Sequence, residues 1–373
     1  MRNPTLSGTR RVVLGAMAGA LALGRGAGRA AAPQRLISPI DVEARRKLCG
    51  RPSDGFACEP APAPVIDLSI VGAYVDKAYS VVDPALKRKQ AEAARPVEDF
   101  CWRAGRIADE YMLSRPKRPE PAACLLTWLD TWARANAMLG RLDTADAQHH
   151  RRWVLCGLGL AYLKIRDAPG IDPAARMRVE QWFVKLANQA SAYYNQWGQA
   201  GYNNHADWWA LALAVTAVAA RDQTMFAYAM SLYDILVSDI QPDGTLPKEM
   251  ARKSRALGYH IFALTPLVLL AEIGEVNGRD LYAAQGGAIH RLARRVLAGC
   301  DDPDWFAQRA GAPQEPFDAR SLAFRVIWAE MYYPRFPDPD LARRIVPYRP
   351  LSNPWLGGSV TYAFGSPALP MPA

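Results

Sequence analysis

The stretch Tyr202-Asn203-Asn204-His205-Ala206-Asp207-Trp208-Trp209 opens a run, residues 210–220, that is otherwise almost wholly apolar. A run with no polar stripe predicts a helix buried on every side, with Asn203 or Asn204 as its N-cap. A helix N-terminus offers spare amides and the positive end of a dipole, which suits a carboxylate ligand. On helical spacing His205 shares a face with Trp208 and Trp209. The same residues equally describe a capped core helix whose histidine is satisfied in the interior. A second stretch has to decide between these readings.

Outward from this helix the chain is helix after helix. Apolar periodicity predicts helices over 85–112, 122–139, 149–165, 172–194, 204–220, 225–240, 246–276, 281–299 and 322–333, with Pro266 kinking or splitting the seventh. Asp83 caps the first of these and Pro84 takes its first position. A shorter helical piece lies at 42–48 in an otherwise extended, proline-rich arm over 33–68, and the tail from Pro334 reads as irregular. Strand alternation is scarce. Helix hairpins of this length without a sequence repeat predict an all-α fold, an incomplete (α/α) toroid or barrel, in one domain over 33–373.

The first 32 residues read differently. Thr9-Arg10-Arg11-Val12-Val13-Leu14, a small apolar run and Ala30-Ala31-Ala32 make a twin-arginine-like signal peptide, exporting the protein most simply to a bacterial periplasm. No later stretch reads as long and apolar enough to cross a bilayer. The formal charge of +9 falls to +4 once the five arginines and no acids of that segment are removed. What is left is mildly basic with no basic stripe, which excludes a nucleic-acid binder and leaves acidic polymers as partners. All six cysteines lie in the mature part, and none sits in a metal-ligand spacing. Cys156 and Cys300 read as buried thiols.

The second stretch is Lys248-Glu249-Met250-Ala251-Arg252-Lys253-Ser254-Arg255-Ala256-Leu257-Gly258-Tyr259-His260. Arg252 and Tyr259 are two helical turns apart and project from one face. Residues 69–84, with Tyr74, Asp76, Lys77 and Tyr79, read as a loop that lies over a cleft as a lid or is simply solvated. Trp128, Trp132, Trp208, Trp209 and Tyr202 are candidates to stack on sugar rings; core packing fits Trp128 and Trp132 better, and Trp208 is the first choice.

Together, Asn203-Asn204-His205 and Glu249-Met250-Ala251-Arg252 with Tyr259 resemble the alginate lyases of polysaccharide lyase family 5. The likeness extends to Cys124-Leu125-Leu126-Thr127-Trp128-Leu129-Asp130-Thr131-Trp132-Ala133, to Asp243-Gly244-Thr245-Leu246-Pro247 and to Val276-Asn277-Gly278-Arg279-Asp280-Leu281. It implies an incomplete α/α barrel with a deep cleft, no metal or cofactor, and cleavage of a 4-linked polyuronate by β-elimination. It also implies a disulfide between Cys58 and Cys124, and leaves the partners of Cys49 and Cys101 open, pairing with each other among the options. The chain departs from the family at Ala206-Asp207, where Ser-Tyr is usual, and in the lid, where Val71 falls near an expected lysine and Lys77 is the nearest candidate. Both departures lie where sugars bind, so polyglucuronate stands beside polymannuronate as a substrate.

The chemistry accounts for the residue types. The C5 proton of a uronate lies α to an ionised carboxylate, so removing it builds a dianion that the site must stabilise. The resemblance gives that role to Asn204, His205 and Arg252, and gives the C5 proton to Tyr259, which returns one to the O4 leaving group. Arg252 beside the phenol favours the phenolate. His205 is expected neutral, a hydrogen-bond donor, and a base only for an epimer with its C5 proton on the opposite face. Tyr202, Asn203, Asp207, Trp208, Arg255, His260 and Trp128, with Tyr74, Lys77 and Tyr79 from the loop, are the candidate substrate-binding residues. Two other readings use the same toroid: a glycoside hydrolase with Asp207 and Glu249 as acid and base, or a non-catalytic polysaccharide-binding or export protein. The protein is expected to be a monomer without membrane insertion.

Overall fold

A computed structural model describes residues 35–53, 55–317 and 319–371, and within it Leu36–Ala373 forms one compact unit. The expected signal peptide lies outside the described residues. After the short helix α1 (Val42–Cys49) come α2 (Pro84–Leu113), α3 (Glu120–Arg134), α4 (Ala145–Ile165) and α5 (Pro173–Tyr194). A four-residue turn of helix, α6 (Gly198–Gly201), leads to α7 (Asn204–Ala220), the helix of the opening stretch, and then to α8 (Gln223–Ser238). Another single turn, α9 (Pro247–Met250), precedes α10 (Ala256–Val276), α11 (Ala284–Asp301), α12 (Pro303–Ala310) and α13 (Ala319–Tyr332). The tail adds α14 (Pro339–Ile345) and α15 (Val360–Phe364).

Helices α2, α4, α7, α10 and α13 each pack on the next, and α3, α5, α8 and α11 pack outside and between them. This is an α/α toroid. Position in it explains composition: α4, α7 and α10 are enclosed on nearly every face, so their sequences are apolar all round and have lost the usual amphipathic stripe. Helix α2 keeps a capping Asp83, whose carboxylate accepts from the amides of Ala85 and Leu86, followed by Pro84.

The seventh predicted helix breaks elsewhere than expected. Pro266 sits inside an unbroken α10, whereas the chain leaves helical geometry between Met250 and Ala256, with Lys253 at φ 52°. Proline lacks the N–H that would bond the carbonyl of Phe262. That freed carbonyl accepts from the indole Nε1 of Trp208 on α7, at 3.1 Å, so the helix is spared an orphan acceptor. The segment Lys253–Val276 is also long and apolar enough to span a bilayer, contrary to the reading of the sequence, but 78% of that window is buried inside the protein.

The proline-rich arm and the tail are more ordered, over their described residues, than their proline content suggests. The arm is tied to α3 by the Cys58–Cys124 disulfide and by indole hydrogen bonds from Trp128 to Glu59 O and from Trp132 to Pro62 O. Closing that loop is worth about 4 kcal/mol in the chain-entropy account. Cys49 and Cys101 are unpaired thiols: Cys101 is buried in the core with Sγ 3.1 Å from Pro354 O, and Cys49 lies beside Arg45. In the tail, Ser352–Asn353 and Gly358–Ser359 pair antiparallel around a tight turn that packs on α2 and α4. Gly357, at φ 78°, lets this turn approach α4 so closely that a Cβ would stand 2.6 Å from Leu160 Cβ. The turn delivers Trp355 to the same aromatic group as Trp153, the two rings stacked at 4.6 Å.

Candidate active site

Asn203 caps α7 by accepting from the His205 amide at 3.0 Å, which fixes Asn204 and His205 on the first turn. The backbone N–H of Asn204 donates to Glu249 Oε1 and its Nδ2 to Oε2, both at 2.9 Å. The same Oε2 accepts from Arg252 Nε at 3.3 Å. Glu249 is 1% exposed, so a single buried carboxylate holds the amide of one candidate residue and the guanidinium of another. Asn204 Oδ1 is buried without a protein partner.

Arg252 then lies across the phenol, its Cζ 5.0 Å from the Tyr259 ring centroid. The two were expected to share a helix face. They meet instead because the non-helical step at Lys253 turns Arg252 back toward α10. The loop 69–84 closes the group from the other side: Tyr259 donates to the Tyr74 hydroxyl at 2.9 Å, Arg255 Nη1 donates to the same oxygen at 3.0 Å, and Tyr79 lies 5.1 Å from Arg252 Cζ. Arg255 is held in turn by Glu315. Within the loop, Asp76 accepts from the amides of Ala78, Ser80 and Val81 and from the Ser80 hydroxyl. These bonds, led by that from Val81, bring its carboxyl down to about 2. Lys77 is exposed on the loop's turn.

Burial, and then Tyr74, push the Tyr259 phenol well above its ordinary range, and Arg252 offsets this only in part. Arg252 thus favours the phenolate, as the sequence reading expects, but desolvation is the larger effect. His205 behaves as expected, held neutral by burial and by the neighbouring His149, Arg152 and Arg252.

Several sequence-predicted residues stand elsewhere. Trp208 is fully buried and its indole is committed to Phe262, so the first choice for sugar stacking is a packing residue. Trp128 is 2% exposed, bonded to Glu59 and packed near Phe100. His260 is fully enclosed, with Nδ1 donating to Ala256 O and Nε2 accepting from the Leu246 amide. Tyr202 and Asp207 line a cavity of about 260 Å³ with Asn203, Asn204, Lys248 and Glu249, and none of His205, Arg252 and Tyr259 borders it. Asp207 is pushed well above the usual carboxylate range by burial and then by Glu249. With Glu249 engaged by Asn204 and Arg252, this pair has no free carboxylate to act as the hydrolase base.

Sequence reasoning missed the opening of α4. His149 stacks on His205 at 3.6 Å with planes 9° apart, Arg152 bonds His205, and Trp153 and Trp197 frame the pair. The signal was present: His149-His150-Arg151-Arg152-Trp153 begins an apolar helix, just as Asn204-His205 begins α7.

An α/α toroid that gathers hydrogen-bond donors for a carboxylate beside a tyrosine is the architecture of a polysaccharide lyase. The family model described as alginate lyase matches residues 70–306. A polysaccharide lyase of Stenotrophomonas maltophilia is 38% identical over 83% of this chain and 91% of its own length. An alginate lyase of Cobetia marina is 30% identical over 98% and 97%. Among solved structures, a variant of alginate lyase A1-III complexed with tetrasaccharide superposes with a TM-score of 0.77 at 25% identity, covering 91% of this chain and 99% of that one. The chain belongs to the alginate lyase family, and with it to the carbon–oxygen lyases that act on polysaccharides.

Proposed function

We propose that this chain cleaves a β-1,4-linked uronan by β-elimination, with polymannuronate or polyglucuronate preferred over polyguluronate. One observation carries the reading: Tyr259 and Arg252 are in contact, and Glu249 ties that guanidinium to Asn204. Asn204, His205 and Arg252 hydrogen-bond the substrate carboxylate as charge builds on it. Tyr259, as phenolate, takes the C5 proton; the C5–H electron pair forms the C4–C5 double bond as the C4–O4 bond breaks, and O4 takes a proton back from the phenol. The products are a new reducing end and an unsaturated uronate. Ionising the buried phenol has an outward route through the hydroxyl of Tyr74. The alginate lyase of Cobetia marina and the alginate lyase A1-III structure support alginate as the polymer. The loop with exposed Lys77 supports a glucuronan alternative, whereas Ala206 and Asp207 are buried away from the phenol.

The test is ultraviolet absorbance of the unsaturated product after incubation with each of the three polymers separately. Strong preference for polyguluronate overturns the assignment of the C5 face, and reducing ends without absorbance favour a hydrolase. The Arg10-Arg11 start supports export by the twin-arginine route to a periplasm, where the protein works as a monomer free of the membrane. Cell fractionation checks this: substituting both arginines with lysine should leave the precursor in the cytoplasm.

A further inference from the structure

Beneath His205 lies a charge that the lyase reading does not use. Arg152, on α4, is fully buried. Among the described residues its guanidinium has no carboxylate against it: Nη2 points at His205 Nδ1 at 3.1 Å, Nη1 stands 3.5 Å from His149 Nδ1, and Nε is buried without a partner. The faces of Tyr194 and Trp153, at 4.8 and 5.3 Å from Cζ, supply the immediate cushioning. A buried cation left this way is costly unless something else completes it.

Guanidinium can only donate. The Arg152–His205 contact therefore makes Nδ1 of His205 the acceptor, and in a neutral ring the single proton must sit on Nε2. His149, stacked flat on His205, has its own Nδ1 2.7 Å from the Tyr194 hydroxyl and 3.5 Å from Arg152 Nη1. With a donor-only guanidinium against it, that nitrogen is an acceptor too, and the His149 proton sits on Nε2. We propose that Arg152 is a positioning residue for the elimination. It locks His205 in the Nε2–H form and lends that N–H its uncompensated positive charge, so that the pair is completed when a substrate carboxylate arrives.

The device is a cation acting through a neutral ring. A protonated His205 would set a third positive charge beside Arg152 and Arg252, and the buried, stacked geometry works against this. The charged and titratable groups facing His205 are His149 and Arg152 from α4 and Arg252 from the segment before α10. Those facing Arg152 are His205, His149 and Tyr194 in contact with the guanidinium, with Arg151, Cys156, Tyr193 and Asp207 around them. Burial and then Glu249 push the Asp207 carboxyl well above the usual carboxylate range, which weakens its opposition to the arginine charge. The inference rests on the lyase reading for its purpose and adds a specificity consequence. A ring whose Nδ1 is occupied and whose Nε2 bears the proton has no free lone pair for a C5 proton on the opposite face. His205 is then a donor only, and a guluronate-type epimer finds no base from it.

The test begins with a spectrum that needs no substrate. In protein labelled with ¹⁵N-histidine, long-range ¹H–¹⁵N correlation resolves the tautomer of each of the five histidines, with His205→Gln giving the assignment. Between about pH 5 and pH 9, a range that brackets the free imidazole, His205 should show a bare Nδ1 and a protonated Nε2. A proton on Nδ1 in the unmutated protein overturns the proposal whatever any variant does. In Arg152→Met the Nε2–H population should fall and kcat on polymannuronate should drop by about 10-fold or more with a smaller change in KM. Arg152→Lys, which keeps a charge and a donor but not the planar fork, should recover part of both. If Arg152→Met is folded by circular dichroism, with an unchanged His205 tautomer and full kcat, Arg152 is only a packing residue. If the lyase reading itself fails, no variant shows absorbance, yet the spectrum still decides the tautomer.

Discussion

The two sides of the site are built to different standards. On the toroid side, Asn204, His205, Glu249, Arg152 and His149 are locked by buried hydrogen bonds between the starts of α4 and α7 and the turn before α10. On the loop side, Tyr79 and Lys77 are exposed, and residues 74–82 are organised by one aspartate and a single bridge between Tyr74 and Val82. The difference separates two tasks. Donors that meet developing charge must already be in place, because reorganising them during the reaction would raise the barrier. A cover must yield to admit a polymer, so it draws on the weakly held part of the fold. The two sides meet at the Tyr74 hydroxyl, which accepts from both Tyr259 and Arg255, and where the Tyr79 ring lies against Arg252.

The largest effect should come from Tyr259→Phe, which removes the proton carrier and leaves the ring packing intact. Elimination should fall by about 10²–10⁴-fold with an unchanged thermal midpoint. Substantial turnover by a folded variant would remove Tyr259 from the mechanism and with it the contrast between the two sides. Glu249→Gln comes next. It keeps the shape but strips the charge that holds Arg252 and orients Asn204. A loss of about 10²-fold in kcat, read in steady-state kinetics, is expected. A change confined to KM would mean that Glu249 serves binding alone.

How much of this was legible in the sequence depended on whether a contact was local. Asn203 as cap, Asn204 and His205 on the first turn, and Asp83-Pro84 at the head of α2 could be read because caps and periodicity are written in consecutive residues. Arg252 and Tyr259 were paired correctly through a wrong intermediate: the seven-residue spacing suggested one helix, whereas Lys253 at φ 52° breaks it. Trp208 shows the limit from the other side. Spacing from His205 marked it as sharing a helix face, but only the neighbour decides what that face meets, and Pro266 on α10 had freed a carbonyl for its indole. The Arg152–His205 bond joins residues 53 positions apart, and no local pattern announces such a pairing.

Two substitutions should move the pH–rate profile in opposite directions. Activity needs the phenolate, so it rises with pH through the Tyr259 ionisation. Arg252 stabilises the phenolate and Tyr74 disfavours it. Arg252→Ala should therefore displace the rising limb to higher pH and lower kcat. Tyr74→Phe should displace it to lower pH, with a cost in kcat/KM of about tenfold or less, in keeping with one hydrogen bond. Shifts of the same sign would refute the opposed roles.

The smallest effect should be that of Asp76→Ala, and it examines whether the loop reaches the chemistry by any route other than Tyr74. The Asp76 carboxyl sits near 2, below its ordinary range, because the loop amides and the Ser80 hydroxyl bond its ionised form. A depressed carboxylate contributes its order above the ordinary range of about 4 and loses it as pH falls toward 2. Between pH 5 and 9 Asp76 of the unmutated protein therefore adds no titration of its own. Removing Asp76 loosens Tyr74, which is still steadied by Arg255, so the variant should reproduce the acidward shift of Tyr74→Phe in weaker form. In the double variant Tyr74→Phe, Asp76→Ala the profile should move no further than with Tyr74→Phe alone, since the loop's hydrogen bond to the phenol is already gone. An additional shift, measured as kcat/KM from pH 5 to 9, would show that the loop shapes proton transfer through a second contact, and the division between a rigid chemical wall and a yielding cover would have to be redrawn.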